Sequence, residues 1–274
     1  MVNPNILIKQ YSNESLDAAA NPLSPQIANV YGNLSGFDFQ LTVSASGTLV
    51  SPNNILSALQ EIEVDDANSQ PIYQLDNLDL PNLAYMQSSL GKTFVIPTVS
   101  TSSASVDFFL PWTMKVADQP LTLKVTLAGY GALASSGATG GTVSLAVRGA
   151  YNQFTGAYPT LRMLKARVPN LAVGDNELQK YLASNVIVSS LSLFDEGSTD
   201  ANTNYITFRP SGAVDIEKIQ PSNIIALENA NTVSGHIAGL YPLPEQAYQN
   251  NPATYLSVNL INSTTYRIYQ LYQT

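Results

Sequence analysis

Ser105-Val-Asp-Phe-Phe-Leu-Pro-Trp-Thr-Met-Lys-Val-Ala-Asp-Gln-Pro-Leu-Thr-Leu-Lys-Val-Thr-Leu127 has a later counterpart in Gly239-Leu-Tyr-Pro-Leu-Pro-Glu-Gln-Ala-Tyr-Gln-Asn-Asn-Pro-Ala-Thr-Tyr-Leu-Ser-Val-Asn-Leu260. In both, an apolar run ends in Leu-Pro, a short polar loop closes with a second Pro, and an alternating segment follows. Lys124-Val-Thr-Leu-Ala128 answers to Ser257-Val-Asn-Leu-Ile261. Pro111 and Pro244 lie 133 residues apart, Pro120 and Pro252 lie 132 apart, and Val125 and Val258 lie 133 apart. Upstream, Asp65 closes Glu61-Ile-Glu-Val-Asp65 and Asp195 closes Leu191-Ser-Leu-Phe-Asp195, a pair separated by 130. A period near half of a 274-residue chain predicts two β-domains of one design in tandem.

The composition agrees with two packed domains. Hydrophobic residues make up 45% of the chain and charged residues 12%, enough apolar material for a core and too little charge for disorder. A surface poor in charge and rich in Asn, Gln, Ser, Thr and Tyr suits contact with protein or sugar. The net charge of −8 and a pI near 4.5 leave no basic stripe to displace counterions from a nucleic acid, so direct nucleic-acid binding is disfavoured. With no cysteine, neither disulfides nor thiolate metal sites hold the fold. Met1-Val-Asn-Pro-Asn-Ile-Leu-Ile-Lys9 lacks the pattern of a secretory signal, and no run of 18 apolar residues predicts a spanning helix.

Residues 1–35, broken by Pro4, Pro22 and Pro25, read as an N-terminal arm with a helical turn around Glu14 to Ala20, lying on a neighbouring subunit or over its own barrel. From Gly36 the period becomes two: Phe37, Phe39, Leu41 and Val43 alternate with Asp38, Gln40 and Thr42. Short strands follow at Gly47–Val50, Leu59–Asp65 and Pro71–Leu75. A helix capped by Asp79, with Pro81 in its first turn and Leu83, Met86 and Leu90 on one face, comes next. Strands at Lys92–Pro97, Ala104–Leu110, Leu121–Ala128 and Thr142–Arg148 bring the first barrel, residues 36–152, to about eight, the number of a jelly roll. A join at Tyr151 to Pro159 leads to the second barrel, residues 153–274. Its predicted strands are Leu161–Val168, Val186–Phe194, Tyr205–Phe208, His236–Leu243, Tyr255–Ile261 and Tyr266–Tyr272, with Asp175 capping a short helix that carries Leu178, Tyr181 and Leu182. Ala213–Leu227 is of mixed character. Both faces of Tyr266–Tyr272 carry aromatic or aliphatic residues, as in a strand covered on both sides. The fold class is all-β, two tandem eight-stranded antiparallel jelly rolls with short helices in the connections.

Catalytic chemistry finds little to work with. His236 is the only histidine, no Gly-x-Ser-x-Gly elbow is present, and a lone histidine on a strand is ordinarily structural. One histidine and no cysteine argue against zinc. The glycine-rich Gly129–Gly141 segment lacks the lysine of a phosphate loop. Acidic loops are the remaining candidates: Asp65 and Asp66 at one strand end, and Asp76 and Asp79 at the start of the first helix, are oxygen ligands for a calcium ion, though none matches the spaced calcium-loop pattern. Asp195, Glu196 and Asp200 form a second acidic loop. Paired carboxylates for glycoside hydrolysis would have to come from the same loops.

The tandem repeat, the short length, the helix after Pro71–Leu75 and the wording Ser46-Gly-Thr-Leu-Val-Ser-Pro-Asn-Asn-Ile-Leu56, Glu61-Ile-Glu-Val-Asp-Asp66 and Pro71-Ile-Tyr73 resemble the double jelly-roll major capsid proteins of tailless icosahedral bacteriophages with internal membranes, of the corticovirus type and the adenovirus-type lineage. That resemblance implies a structural protein without catalytic residues or a cofactor, standing in the virion as a pseudo-hexagonal homotrimer. It implies neighbouring capsomers, penton and minor capsid proteins and an internal membrane as partners, assembly in the host cytoplasm, and, as in some relatives, structural calcium at subunit contacts held by the acidic loops. Residues 1–35 are not recognisably basic, which departs from a strong electrostatic hold on membrane or genome. The alternatives are a carbohydrate-binding or adhesin β-sandwich, with Trp112, Tyr151 and Tyr158 stacking on sugar rings, and a glycoside hydrolase.

Overall fold

The computed structural model describes residues 5–16, 21–23, 26–27, 33–47, 59–65, 68–69, 71–76, 79, 103–115, 121–132, 139–152, 161–210, 217–231, 236–243, 248–250 and 254–273. The chain divides into two compact units, Met1–Pro159 and Thr160–Thr274.

In the first unit the alternation read from Phe37 onward builds β4 (Asn33–Ala45), whose Leu34, Phe37, Phe39, Leu41 and Val43 are buried while Gln40 is exposed. Each such side chain contributes about 1.5–3 kcal/mol by leaving water, which fixes the face that β4 turns inward. Its sheet also holds β1 (Asn5–Leu16), β7 (Ser103–Lys115) and β9 (Gly141–Asn152), in the order β1-β9-β4-β7. The facing sheet runs β2-β8-β5-β6, with β2 (Asn21–Leu23), β5 (Leu59–Asp65), β6 (Pro71–Asp76) and β8 (Leu121–Leu127); β3 (Gln26–Ile27) pairs β8 beside β2. Ile62, Val64, Tyr73, Leu75, Leu123 and Val125 are its buried face.

The second unit repeats this wiring. One sheet runs β10-β18-β12-β15, with β10 (Leu161–Leu171), β12 (Val186–Asp195), β15 (Leu240–Pro242) and β18 (Thr264–Gln273), and with β16 (Tyr248–Asn250) on β12. The other runs β11-β17-β13-β14, with β11 (Gly174–Glu177), β13 (Thr203–Arg209), β14 (Glu217–Ile219) and β17 (Tyr255–Leu260). If the strands of a jelly roll are lettered B to I, both units read B-I-D-G in one sheet and C-H-E-F in the other, every pairing antiparallel. Val188, Leu193, Ile206, Phe208, Leu256, Val258, Tyr266 and Ile268 form the core of the second unit. Arg267, Tyr269 and Leu271, which alternate with those of β18, are buried too, so that strand is covered on both faces, as its sequence predicted.

Several expectations need correction. Residues 5–16 are strand B of the first unit rather than an arm: β1 pairs β9 from Asn5↔Ala150 to Leu16↔Gly141, and Glu14–Leu16 end that strand instead of starting a helical turn. β1 and β2 are edge strands, where polar residues and a proline such as Pro22 cost no ladder bond. The same reason lets β7, another edge, run through Pro111 to Lys115 instead of stopping there. Asp175 caps nothing. It lies in β11, and the 3-10 turn Gln179–Tyr181 after it has Leu178 at its N-cap, with Leu178 and Leu182 in the core. His236 precedes β15 rather than lying on a strand. The mixed stretch resolves into β14 and helix α1 (Pro221–Asn231), with Pro221 at its start, where a missing N–H removes no helical bond. The strand expected at Lys92–Pro97, the helix of Leu83, Met86 and Leu90, and most of Gly47–Val50 lie outside the described residues.

The topology also sorts the repeat. Ile62 pairs Val125 across strands E and H of the first unit, and Ile206 pairs Val258 across the same strands of the second. Val125 and Val258 therefore correspond, as the sequence suggested. Asp65 and Asp195 do not: Asp65 ends strand E, where its counterpart is Arg209, whereas Asp195 ends strand D.

Candidate functional site

The connections of the second unit that join B to C, D to E, F to G and H to I meet at one end. The N–H of Ile261 in the H–I turn donates to Asn202 of the D–E loop at 2.8 Å, and that of Glu196 donates to Thr265 at 2.9 Å. Asp195 is the hub. Its buried carboxylate accepts from the N–H of Gly197 at 2.9 Å, from Nδ2 of Asn202 at 2.7 Å and from the hydroxyl of Thr264. Beside it Glu196 accepts from Arg167 through Nε and a second nitrogen, each at 2.7 Å, and from Nε of Arg267 at 2.7 Å; these guanidinium groups, Arg167 first, hold its carboxyl below the usual range.

His236 sits between two acids of this end. Nδ1 faces Glu228 of α1, and Nε2 lies 2.9 and 3.0 Å from the two carboxylate oxygens of Asp200 in the D–E loop. Burial pushes the Glu228 carboxyl up to about 7, against the lowering effect of His236. Thr203 and Tyr266 share a hydroxyl hydrogen bond next to this group, and the rings of Tyr241 and Tyr266 stack at 6.5 Å. Both ring nitrogens of His236 face carboxylates, so among the described residues neither faces a serine or threonine hydroxyl and the arrangement is not that of a nucleophilic triad. Sequence reasoning passed over Glu228 because α1 shows no single apolar stripe: Ile224 is buried while Leu227 is 62% exposed.

The calcium candidates are placed as follows. Asp65 is 1% exposed at the end of β5, and Lys124 reaches it at 2.5 Å and Glu63 at 2.8 Å. Asp76 and Asp79 hold each other, the N–H of Asp76 donating to Oδ2 of Asp79 at 2.5 Å and that of Asp79 to the Asp76 carbonyl at 2.9 Å. Asp66 lies outside the described residues. Asp65 pairs Pro71 at one end of the β5–β6 ribbon and Asp76 pairs Glu61 at the other, so Asp65 and the Asp76–Asp79 pair are not brought together. Among the described residues no group of three His, Asp or Glu side chains is disposed to hold a metal.

The sheet walls carry polar side chains paired across strands. On the outside of B-I-D-G in the first unit, Thr42 bonds Ser105 at 2.7 Å, Ser44 bonds Ser103 at 3.0 Å, and Arg148 donates to Gln40. On C-H-E-F of that unit, Gln74 donates to Glu61 and Glu63 beside Lys124. On C-H-E-F of the second unit, Asp175 accepts from Tyr205 at 3.0 Å and from Asn259 at 2.9 Å, and Lys218 stands over the Tyr205 ring at 4.7 Å. These walls are polar and cross-braced. They are suited to contact along their length and contain no cleft of opposed carboxylates among these residues.

No protein-family model and no curated protein sequence matches the chain. Solved structures do match its fold. The major capsid protein of STIV, the Sulfolobus turreted icosahedral virus, is similar with a TM-score of 0.67 at 14% identity, covering 99% of this chain and 94% of that one. VP54 of PBCV-1 is similar at 0.62 and 11% identity, covering 99% and 94%. The major capsid protein P2 of bacteriophage PM2 is similar at 0.58 and 12% identity, covering 99% and 96%. These are double jelly-roll proteins, and the chain has their fold over its whole length.

Proposed function

We propose that this chain is the major capsid protein of a tailless icosahedral virus, a structural protein and not an enzyme. The observation that carries the reading is the duplicated B-I-D-G and C-H-E-F wiring, matched end to end by viral major capsid proteins of nearly the same length. Two like barrels per chain give six per trimer, which is the arithmetic of a near-hexagonal tile. Three copies form that tile, and the walls rather than any pocket make the contacts between copies and between neighbouring capsomers. Penton and minor capsid proteins at the vertices and an internal membrane beneath the shell complete the set of partners. The protein resides in the virion after assembly in the host cytoplasm.

Support for wall contacts comes from the composition: a surface with few charges costs little to desolvate where two walls meet, and hydroxyl and amide pairs such as Thr42–Ser105 and Asn204–Asn259 hold their own hydrogen bonds when covered. Size-exclusion chromatography with light scattering tests the reading. A stable species of three times the 29.4 kDa chain mass supports it, and a monomer that binds glycans overturns it in favour of the lectin alternative.

A further inference from the structure

The loop end of the second unit contains a buried ionisable cluster that shell building alone does not require. His236 belongs to the F–G connection, Glu228 to α1 at the start of that connection, and Asp200 to the D–E loop. Two backbone bonds run through the same group: the N–H of His236 donates to Oδ1 of Asn229 at 2.9 Å, and that of Gly239 donates to Oδ1 of Asp200 at 2.9 Å.

Each ring nitrogen faces a carboxylate oxygen, and a carboxylate can only accept. The geometry is satisfied when both nitrogens carry hydrogen, or when one does and the facing carboxyl at the other is itself protonated. Removal of one further proton sets an imidazole lone pair against a carboxylate, and one of the two contacts turns repulsive. We propose that Glu228, His236 and Asp200 form a proton lock: fully protonated, it fastens the F–G connection onto the D–E loop, and it lets go when a proton is lost as pH rises past neutrality.

Among the described residues, the titratable groups Tyr241, Tyr266, Asp195, Arg167 and Arg267 are otherwise engaged or stay neutral. Tyr241 from β15 and Tyr266 from β18 are both pushed up by burial and stay neutral. Asp195 at the end of β12 is held by Gly197, Asn202 and Thr264, and Arg167 and Arg267 are engaged by Glu196. The sign agrees with the raised Glu228 carboxyl: a group that binds its proton more tightly folded than unfolded stabilises below its ordinary value of 4.5, and that stabilisation is lost as pH rises through about 7.

Hydrogen exchange on the full-length protein, corrected for intrinsic rate and compared at about pH 6 and about pH 8.5, tests the lock through local opening. Protection of the Gly239 amide is expected to fall about tenfold or more at the higher pH while that of β17 amides is unchanged. Glu228→Gln removes the dependence, because the carboxamide donates to Nδ1 of a neutral ring whose Nε2–H still donates to Asp200. Asp200→Asn does the same from the other side and serves if the first variant does not fold. Constant protection in the parent protein overturns the proposal, as does a variant that loses protection as the parent does.

Discussion

Replacing Asp195 by alanine removes a carboxylate that is 0% exposed and that ties the D–E loop to the first residue of β18. Three donors lose their acceptor: the Gly197 N–H, Nδ2 of Asn202 and the Thr264 hydroxyl. A hydrogen bond to a charged group contributes about 1.5–3 kcal/mol net. Gly197 is exposed and recovers its bond from water, whereas Asn202 and Thr264 are only half-exposed, so two of the three bonds count as lost. The expected cost to the second unit is about 3–6 kcal/mol. Asp195→Asn keeps the shape and part of the acceptor capacity but turns an amide toward a donor, and should cost about 1–3 kcal/mol. Because two units need not unfold together, urea denaturation should be read by hydrogen exchange in each unit separately rather than from one global midpoint. An alanine variant within about 0.5 kcal/mol of the parent, or a loss that falls on β4 and β8 instead, would refute the assignment of Asp195 as hub.

The duplicated core makes a paired forecast. Leu123 and Leu256 occupy corresponding places in strand H, both 0% exposed, and substitution by alanine should cost about 2–5 kcal/mol in its own unit, measured the same way. Gly239 adopts φ +81°, and a Cβ there would lie 3.1 Å from the Asp195 carbonyl oxygen and 3.1 Å from the Thr199 nitrogen, so Gly239→Ala should lower stability by about 2–3 kcal/mol in chemical denaturation. Glu196, its carboxyl held low by Arg167 and Arg267, stabilises above the ordinary value of 4.5 and loses that contribution as pH falls through its lowered value. Melting temperature followed downward from about pH 6 should therefore fall less steeply in Glu196→Gln than in the parent.

Much of the architecture was legible in the sequence, and the reason is burial. Phe37, Phe39, Leu41 and Val43 lie on a central strand with one face in the core, so their period of two survives in plain text. Val125 and Val258 reveal the repeat because strand H is also central, with a neighbour on each side. Edge strands carry no such signal. β1 reads as polar text and β2 contains a proline, since an edge pairs on one side only and tolerates both. The false match of Asp65 to Asp195 arose from similar strand ends, and only the pairing of Ile206 with Val258 exposes it. The histidine cluster was out of reach of sequence reasoning because Asp200, 36 residues before His236, meets it only where the D–E and F–G connections come together, and no pattern marks Glu228, eight residues upstream, as the second partner.

Electron cryo-microscopy of the particle that carries this chain tests the shell-building account most directly. The account predicts capsomers in which three copies present six jelly rolls in near-hexagonal array and touch their neighbours through the sheet walls. Density that places this chain as a single copy on a fibre or spike, or contacts made through a ligand-filled cleft, would contradict it.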